Sequence, residues 1–252
     1  MNNSAIRVLD IMELIASSGP LSVSEVSRRL GIPKTSTFDI IKILAERGFI
    51  APGGESGRYC VGLSAYRVGM AYLSRVDLYS IAHPLLTSLC AELGQTCYLA
   101  IEDNGFIVYI DKAESQSPLR VLANLGTRNL MYLTGLGKAM LAGYDEERVR
   151  RIVSSGFERR TKNTIMSVEE LLRELGTVRK NGCAFDMGED NEHIRCVAAP
   201  VRGRSGEIAA AVSIAMPDAV FTDDMKSRAV KRITETALGI SAGLGYTGRK
   251  LY

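Results

Sequence analysis

Two short amphipathic segments, separated by a glycine and a proline, constrain this chain most tightly. Residues 22–30, SVSEVSRRL, open with Ser22 and Glu25 at capping-box spacing and carry Val23, Val26 and Leu30 as an apolar stripe. Gly31 ends that helix and Ile32-Pro33 turn the chain. Residues 33–48, PKTSTFDIIKILAERG, predict a second helix: Pro33 suits a first helical position and Gly48 a stop. At about 100° per residue, Ile40, Ile41 and Leu44 fall on one face and Thr35, Asp39, Lys42 and Glu46 on the opposite one. By itself the second segment reads as an ordinary amphipathic helix. Its neighbours change that reading.

Two short helices joined by a tight glycine-containing turn form a helix-turn-helix, whose second helix enters the DNA major groove mainly by its first turns. Lys34 can neutralise a phosphate there, and the hydroxyls of Thr35, Ser36 and Thr37 can reach phosphates or base edges. Arg28, Asp39 and Lys42 complete the candidate contacts on the two helices. Residues 49–62, FIAPGGESGRYCVG, place two β-prone pieces around a glycine-rich tip, which reads as a hairpin, the wing of a winged helix. Arg58 on this wing is a candidate for the minor groove or a phosphate.

A chain of 252 residues has room for two domains, and 46% apolar with 23% charged residues is ordinary for a globular protein. The net charge of +3 is small, so a local basic patch rather than the total would carry any nucleic-acid binding. No apolar run is long enough to span a bilayer, and the N-terminus shows no signal-peptide pattern, which predicts no membrane partner. The cysteines at 60, 90, 97, 183 and 196 form no CxxC pair, and with two histidines the chain is poorly supplied for a zinc site. Reduced thiols in a cytoplasm, and no cofactor, are expected.

Along the chain, residues 4–18 predict a first helix with Val8, Ile11, Met12 and Ile15 inward, ended by Gly19-Pro20. Residues 63–75 predict a stiff connecting helix with more apolar residues than one isolated helix hides; it packs either on its own domain or on a second subunit. Helices are predicted at 78–93, 136–142, 145–155, 167–180 and 222–244, and strands at 96–102, 106–112, 119–123, 195–202 and 207–215. Asp103-Asn104-Gly105 is a hairpin signal. The expected organisation is an α+β chain: a DNA-binding domain at 1–62, a linker helix at 63–76 and a larger domain at 77–252 with a mostly antiparallel sheet covered by helices.

Within the larger domain, Thr134-Gly135-Leu136-Gly137-Lys138 resembles a phosphate loop but fails its pattern. Tyr132 stands where the first glycine is needed and Ala139 where Ser or Thr is needed. What remains is a glycine-rich helix start whose N–H groups can approach a carboxylate, or simply a tight turn. The stretch 186–196, DMGEDNEHIRC, is dense in polar residues. It reads as a solvated acidic loop, or alternatively as the site of a metal-dependent hydrolase using Asp186, Glu189 and His193. Cys196 opens an apolar strand and is expected to be inert. Ser213 lies within another, where its hydroxyl needs a partner.

The chain resembles the IclR-type transcriptional regulators of bacteria over essentially its whole length. The matching runs are SVSEVSRRLGIPKTST, ILAERGFI and GRYCVGLSAYRVG in the first domain. In the second they are YIDKAES, TGLGKAML, RKNGCAFD, RCVAAPV and GEIAAAVSIAMP. The resemblance implies a winged helix-turn-helix joined by a helix to a GAF-like effector domain. It implies homodimers or homotetramers on double-stranded operator DNA, organic, aromatic or sugar-derived acids as effectors, and regulation of catabolic genes, most often by repression. Its effector positions fall here on Gly135, Leu136, Asp186, Ile194, Cys196 and Ser213, with Val121 and Leu130 as walls. Three departures stand out. Asp39 replaces a basic or polar residue, His193 a glycine, and Ala215-Met216 a Ser-Gly pair. Together with the glycine-rich helix start, these residues predict a hydroxylated or aromatic carboxylate bound carboxylate-first, with Asp186 accepting from a ligand hydroxyl. A sequence-indifferent DNA-binding protein is the third alternative.

Overall fold

The computed structural model describes residues 3–54, 57–73 and 77–252. The chain divides into two compact units, 1–76 and 77–252. In the first, the elements run α1 (Asn3–Ser18), β1 (Leu21–Ser22), α2 (Val23–Leu30), α3 (Lys34–Glu46), β2 (Ile50–Pro52), β3 (Arg58–Val61) and α4 (Leu63–Leu73). The wing tip at Glu55 and Ser56 and the end of the expected linker helix, residues 74–76, lie outside the described residues.

The apolar stripes read from the sequence meet in one core: Ile11 and Ile15 of α1, Val26 of α2, Ile41 and Leu44 of α3, with Leu21, Ile32 and Ile50 filling between them. Local chemistry sets the angle of α2 to α3. Both halves of the Ser22–Glu25 capping box form, and Gly31 takes the left-handed conformation (φ 65°) that a helix C-cap demands. The Ser27 hydroxyl then donates to the Ile32 carbonyl at 2.7 Å, tying the turn to the helix before it. Pro33 caps α3 instead of opening it, its carbonyl accepting from the Thr37 N–H at 2.9 Å. The expected hairpin is β2–β3. It gains a third strand that the sequence hid, because β1 is only two residues long and pairs Leu21 with Tyr59 and Ser22 with Arg58.

The second unit comprises α5 (Asp77–Leu93), β4 (Thr96–Asp103), β5 (Phe106–Ala113), β6 (Arg128–Leu130), a 3₁₀ turn at Met131–Leu133, α6 (Gly135–Leu141), α7 (Glu146–Ile152), α8 (Val168–Asn181), β7 (Ala184–Asp186), β8 (Ile194–Arg202), β9 (Ile208–Pro217) and α9 (Asp223–Gly243). Six strands form one antiparallel sheet in the order β6-β5-β4-β9-β8-β7. Asn104 and Gly105 turn the β4–β5 hairpin with φ of 50° and 83°, as a type I′ turn requires. Alternation splits the sheet. Cys97, Leu99, Val212 and Ile214 are buried towards α5 and α9, whereas Tyr98, Ala100, Ala198, Ala211 and Ala215 join α6 and α8 in a second core.

One expected strand is absent. Residues 119–123 are irregular, and β6 forms further on at 128–130. The cause is a tertiary contact: the Tyr98 hydroxyl donates to the Val121 carbonyl at 3.0 Å and accepts from the Ala123 N–H at 2.8 Å. One phenol thus satisfies two backbone groups that a ladder would otherwise have claimed.

Glu25 links the cap to the wing. Its carboxylate accepts from the Ser22 N–H and hydroxyl, each at 2.8 Å, and pairs with Arg58 at 3.1 Å. The Ser22 bonds, helped by Arg58, hold its pKa down at about 2, from an ordinary 4.5. A depressed carboxylate contributes stability above its unfolded value and loses it as pH falls through its folded one. The thermal-midpoint gap between the wild type and Glu25→Gln is therefore expected to be full at pH 6 and to close between pH 4.5 and about 2. A gap independent of pH across that window would show that the carboxylate charge has no part in it.

Candidate DNA-reading face and ligand cavity

The outward side of α3 carries Thr35, Phe38, Asp39 and Lys42, all exposed, with Lys34 at its first turn and Ser36 half-buried beside them. Lys34, Thr35, Phe38 and Asp39 form one side of an open groove of about 570 Å³. Ser22, Val23 and Ser24 at the start of α2 line it too, together with Gly57 of the wing. Arg28 is exposed on the last turn of α2.

One sequence expectation needs correction here, and a second residue gains a structural role. Thr37 is 0% exposed, and its hydroxyl bonds back to the carbonyls of Pro33 at 3.1 Å and Ile32 at 3.4 Å, so it is a core residue and not a DNA contact. Arg58 keeps 35% of its side chain exposed while donating to the Pro20 carbonyl at 2.9 Å and gripping both Glu25 oxygens, so it also anchors the wing to α2. Sequence reasoning missed Phe38. The signal was present, since Phe38 lies three residues after Thr35 and four before Lys42, within reach of the same helix face.

The second unit encloses a cavity of about 190 Å³ between the sheet and the start of α6. Tyr98, Tyr109, Cys196, Ser213 and Ala215 supply the sheet side. Thr134, Gly135 and Leu136 close one end, Asp186 and Ile194 a flank, and the irregular segment at Val121–Ala123 another. The space exists because Cys196, Ser213 and Ala215 carry small side chains. Gly135 lets the helix start approach them: a Cβ there would meet that of Ala198 at 3.3 Å and that of Cys196 at 3.5 Å. Of the sequence-derived positions, Val121, Gly135, Leu136, Asp186, Ile194, Cys196 and Ser213 all line this cavity. Leu130 does not. It packs against the neighbouring core, and Asn129 lines the cavity in its place.

The polar lining is mixed: Asp190 and Asn129 face the cavity too, and the Asp190 carboxylate accepts from the Asn129 amide at 3.0 Å. Thr134 caps α6, accepting from Gly137 N–H at 3.0 Å on its hydroxyl and from Lys138 N–H at 3.0 Å on its carbonyl. That leaves the N–H groups of Gly135 and Leu136 at the helix start. Ser213 is 2% exposed, yet among the described residues neither its hydroxyl nor that of Tyr109 has a hydrogen-bonding partner. Burial pushes the phenols up, Tyr98 to about 12 and Tyr109 further, so both stay neutral. Burial and the nearby acids likewise keep Cys196 a thiol.

Asp186 differs from its expected role. One of its oxygens accepts from the N–H groups of Gly188 and Glu189, each at 2.9 Å. Burial, then the interaction with the Glu189 carboxylate, pushes its pKa well up. Burial works against the Glu189 charge too, but the bonds from Asp186 and Lys138 outweigh it and hold Glu189 ionised. The Lys138 ammonium, 1% exposed, bridges Glu189 and Glu174, the latter at 3.1 Å. Burial alone would lower its pKa; the two carboxylates reverse that. Lys138 supplies the positive charge that Glu189 needs. His193 is exposed, and among the described residues Asp186, Glu189 and His193 are not brought together as a metal-holding group, so the hydrolase alternative has no assembled site.

A winged helix-turn-helix unit followed by an antiparallel-sheet unit with an internal cavity defines a DNA-binding regulator. Residues 4–52 match the IclR helix-turn-helix domain, and residues 70–242 match the bacterial transcriptional regulator IclR C-terminal family. The chain belongs to the IclR family of bacterial transcriptional regulators, and it is not an enzyme. It is 34% identical over 245 residues to the HTH-type transcriptional regulator KdgR of Dickeya chrysanthemi, covering 97% of this chain and 80% of that one. To the HTH-type transcriptional repressor AllR of Escherichia coli K12 it is 31% identical over 241 residues, covering 95% and 88%. Among solved structures, an IclR transcriptional regulator from Alicyclobacillus acidocaldarius superposes with a TM-score of 0.87 at 26% identity, covering 97% of this chain and 100% of that one. No helix among the described residues is long and apolar enough to cross a membrane.

Replacing Lys138 by Met strands the buried Glu189 carboxylate, and a loss of about 3–5 kcal/mol in urea unfolding is expected. Adding Glu189→Gln to Lys138→Met is expected to restore part of it. A Lys138→Met protein as stable as wild type would show that the buried pair carries no net stability.

Proposed function

We propose that this regulator senses a small organic carboxylate in the cavity of its second unit and acts as a repressor of catabolic genes. The observation that carries this reading is the set of donors gathered at the start of α6: two helix-start N–H groups, beside the unpartnered hydroxyls of Ser213 and Tyr109. A carboxylate, with four lone-pair sites, is the acceptor that answers such a set. Apolar walls from Val121, Leu136 and Ile194 suit an aromatic or hydroxylated acid. Relatives named as repressors support the sign of regulation. A coupling of about 1–3 kcal/mol between effector and operator would change affinity roughly 5–150-fold.

The same reading includes self-association. Leu63, Tyr66, Val68 and Met70 are exposed on α4, which favours a homodimer or homotetramer reading half-sites about 34 Å apart or a multiple of that. Sedimentation at micromolar concentration is expected to give at least a dimer. A monomer with full operator affinity would overturn this part of the proposal.

The effector class is tested by thermal shift with a panel of carboxylates and their matching amides. Acids are expected to stabilise the protein and amides not to. Ser213→Ala and Tyr109→Phe are each expected to weaken the active acid about tenfold or more, the worth of a hydrogen bond to a charged group. If amides stabilise as well as acids, the anion reading fails.

A further inference from the structure

Phe38 is the one large apolar side chain on the part of α3 that also carries Lys34, Thr35 and Asp39, and it is 53% exposed. Its ring has no place in the core: Thr37, Ile41 and Leu44 fill the buried face, and Thr37 is fixed there by its bonds to Pro33 and Ile32. Among the described residues no other ring and no cation engages it. It stands in the groove between the start of α2 and the wing, beside Val23.

The floor of a DNA major groove is almost wholly polar. Its one apolar feature is the C5-methyl group of thymine, which an apolar side chain reads by contact. Asp39, the next residue on the same face, repels phosphate and accepts from the amino group of cytosine. A ring at position 38 forms no hydrogen bond with a base edge, so it contributes by shedding water against a methyl group or not at all. We propose that Phe38 is a specificity-determining residue that reads a thymine methyl in the operator, at a base pair next to the one Asp39 faces. The proposal rests on the assignment of α3 as the helix that enters the major groove.

The test uses the full chain and duplexes that it selects from a random library. Each thymine of a selected duplex is replaced in turn by deoxyuridine, which removes only the methyl group. At one thymine per half-site the wild type is expected to lose about fourfold in affinity, the worth of one buried methyl. Phe38→Ala is expected to show no such penalty, and Phe38→Leu to keep much of it. At that position 5-methylcytosine is expected to bind the wild type better than cytosine. Phe38→Ala must keep the wild-type salt dependence of binding, which shows that its phosphate contacts and fold are intact. The proposal is overturned if no thymine methyl matters to the wild type, or if Phe38→Ala keeps the same deoxyuridine penalty. A chain that binds duplexes with normal salt dependence but selects no sequence also overturns it, while leaving DNA binding in place.

Discussion

The Lys138 ammonium organises the second unit. It lies one turn after the glycines that open α6, so the helix that ends the cavity is the helix that carries the buried charge. Its two partners come from elsewhere, Glu174 from α8 and Glu189 from the loop after β7. Glu189 in turn accepts from the Met187 N–H on its carboxylate and donates its own N–H to Asp186, which fixes the loop flanking the cavity. A cation removed from water with two anions has little tolerance for displacement, because any separation exposes an uncompensated charge. The arrangement therefore fixes the relation of α6, α8 and the loop at 187–189. It also separates TGLGK from a phosphate loop: its lysine points its charge into the protein's own acids.

The cavity follows from two further constraints. Gly137 is needed because a Cβ there would lie 2.1 Å from the Met131 carbonyl oxygen, so the helix start can lie this close to the preceding turn only with glycine. The segment at 121–123 is held by the Tyr98 hydroxyl and not by a strand ladder, which lets Val121 and Ala123 serve as wall. Tyr98 itself stacks edge-on against Tyr109 at 5.3 Å, so the residue that pins the wall also positions the phenol left without a partner.

How much of this was legible depends on whether the signal was local. The helix-turn-helix was, because its caps, its glycine stop and its apolar periods are written within 30 consecutive residues. The long strands at 96–103, 106–113 and 194–202 were legible for the same reason. The strand expected at 119–123 was not, because Val121 and Leu122 have β-prone side chains but their backbone is claimed by a phenol more than 20 residues away. Thr37 was misplaced because helical phase was read from polarity: a hydroxyl that bonds back to its own helix behaves as a core residue. The same habit hid Phe38, which is apolar yet outward. Arg58 was assigned by charge alone, without the Glu25 that neutralises it. In the cavity, motif positions carried over well except Leu130, one residue from the side chain that lines it. Which hydroxyls lack a partner, and which acid is pushed up by burial, were set by packing that no spacing encodes.

The distribution of charge gives the last step. Residues 1–76 hold nine Lys and Arg against six Asp and Glu, so the whole net charge of +3 lies in the DNA-binding unit and the rest of the chain is neutral. Within that unit Arg58 is already paired, which leaves Arg28, Lys34 and Lys42 as the candidate DNA-contacting cations of α2 and α3. Affinity for the phosphate backbone scales with the number of phosphates neutralised, and three cations make a weak sequence-independent grip. A single unit of this kind must draw its affinity from base contacts and, in the proposed dimer, from the second copy binding at high effective concentration. Such avidity is lost when the two units no longer match the half-site spacing. In the proposed dimer, a weak individual grip would let a small effector release the operator by changing geometry alone.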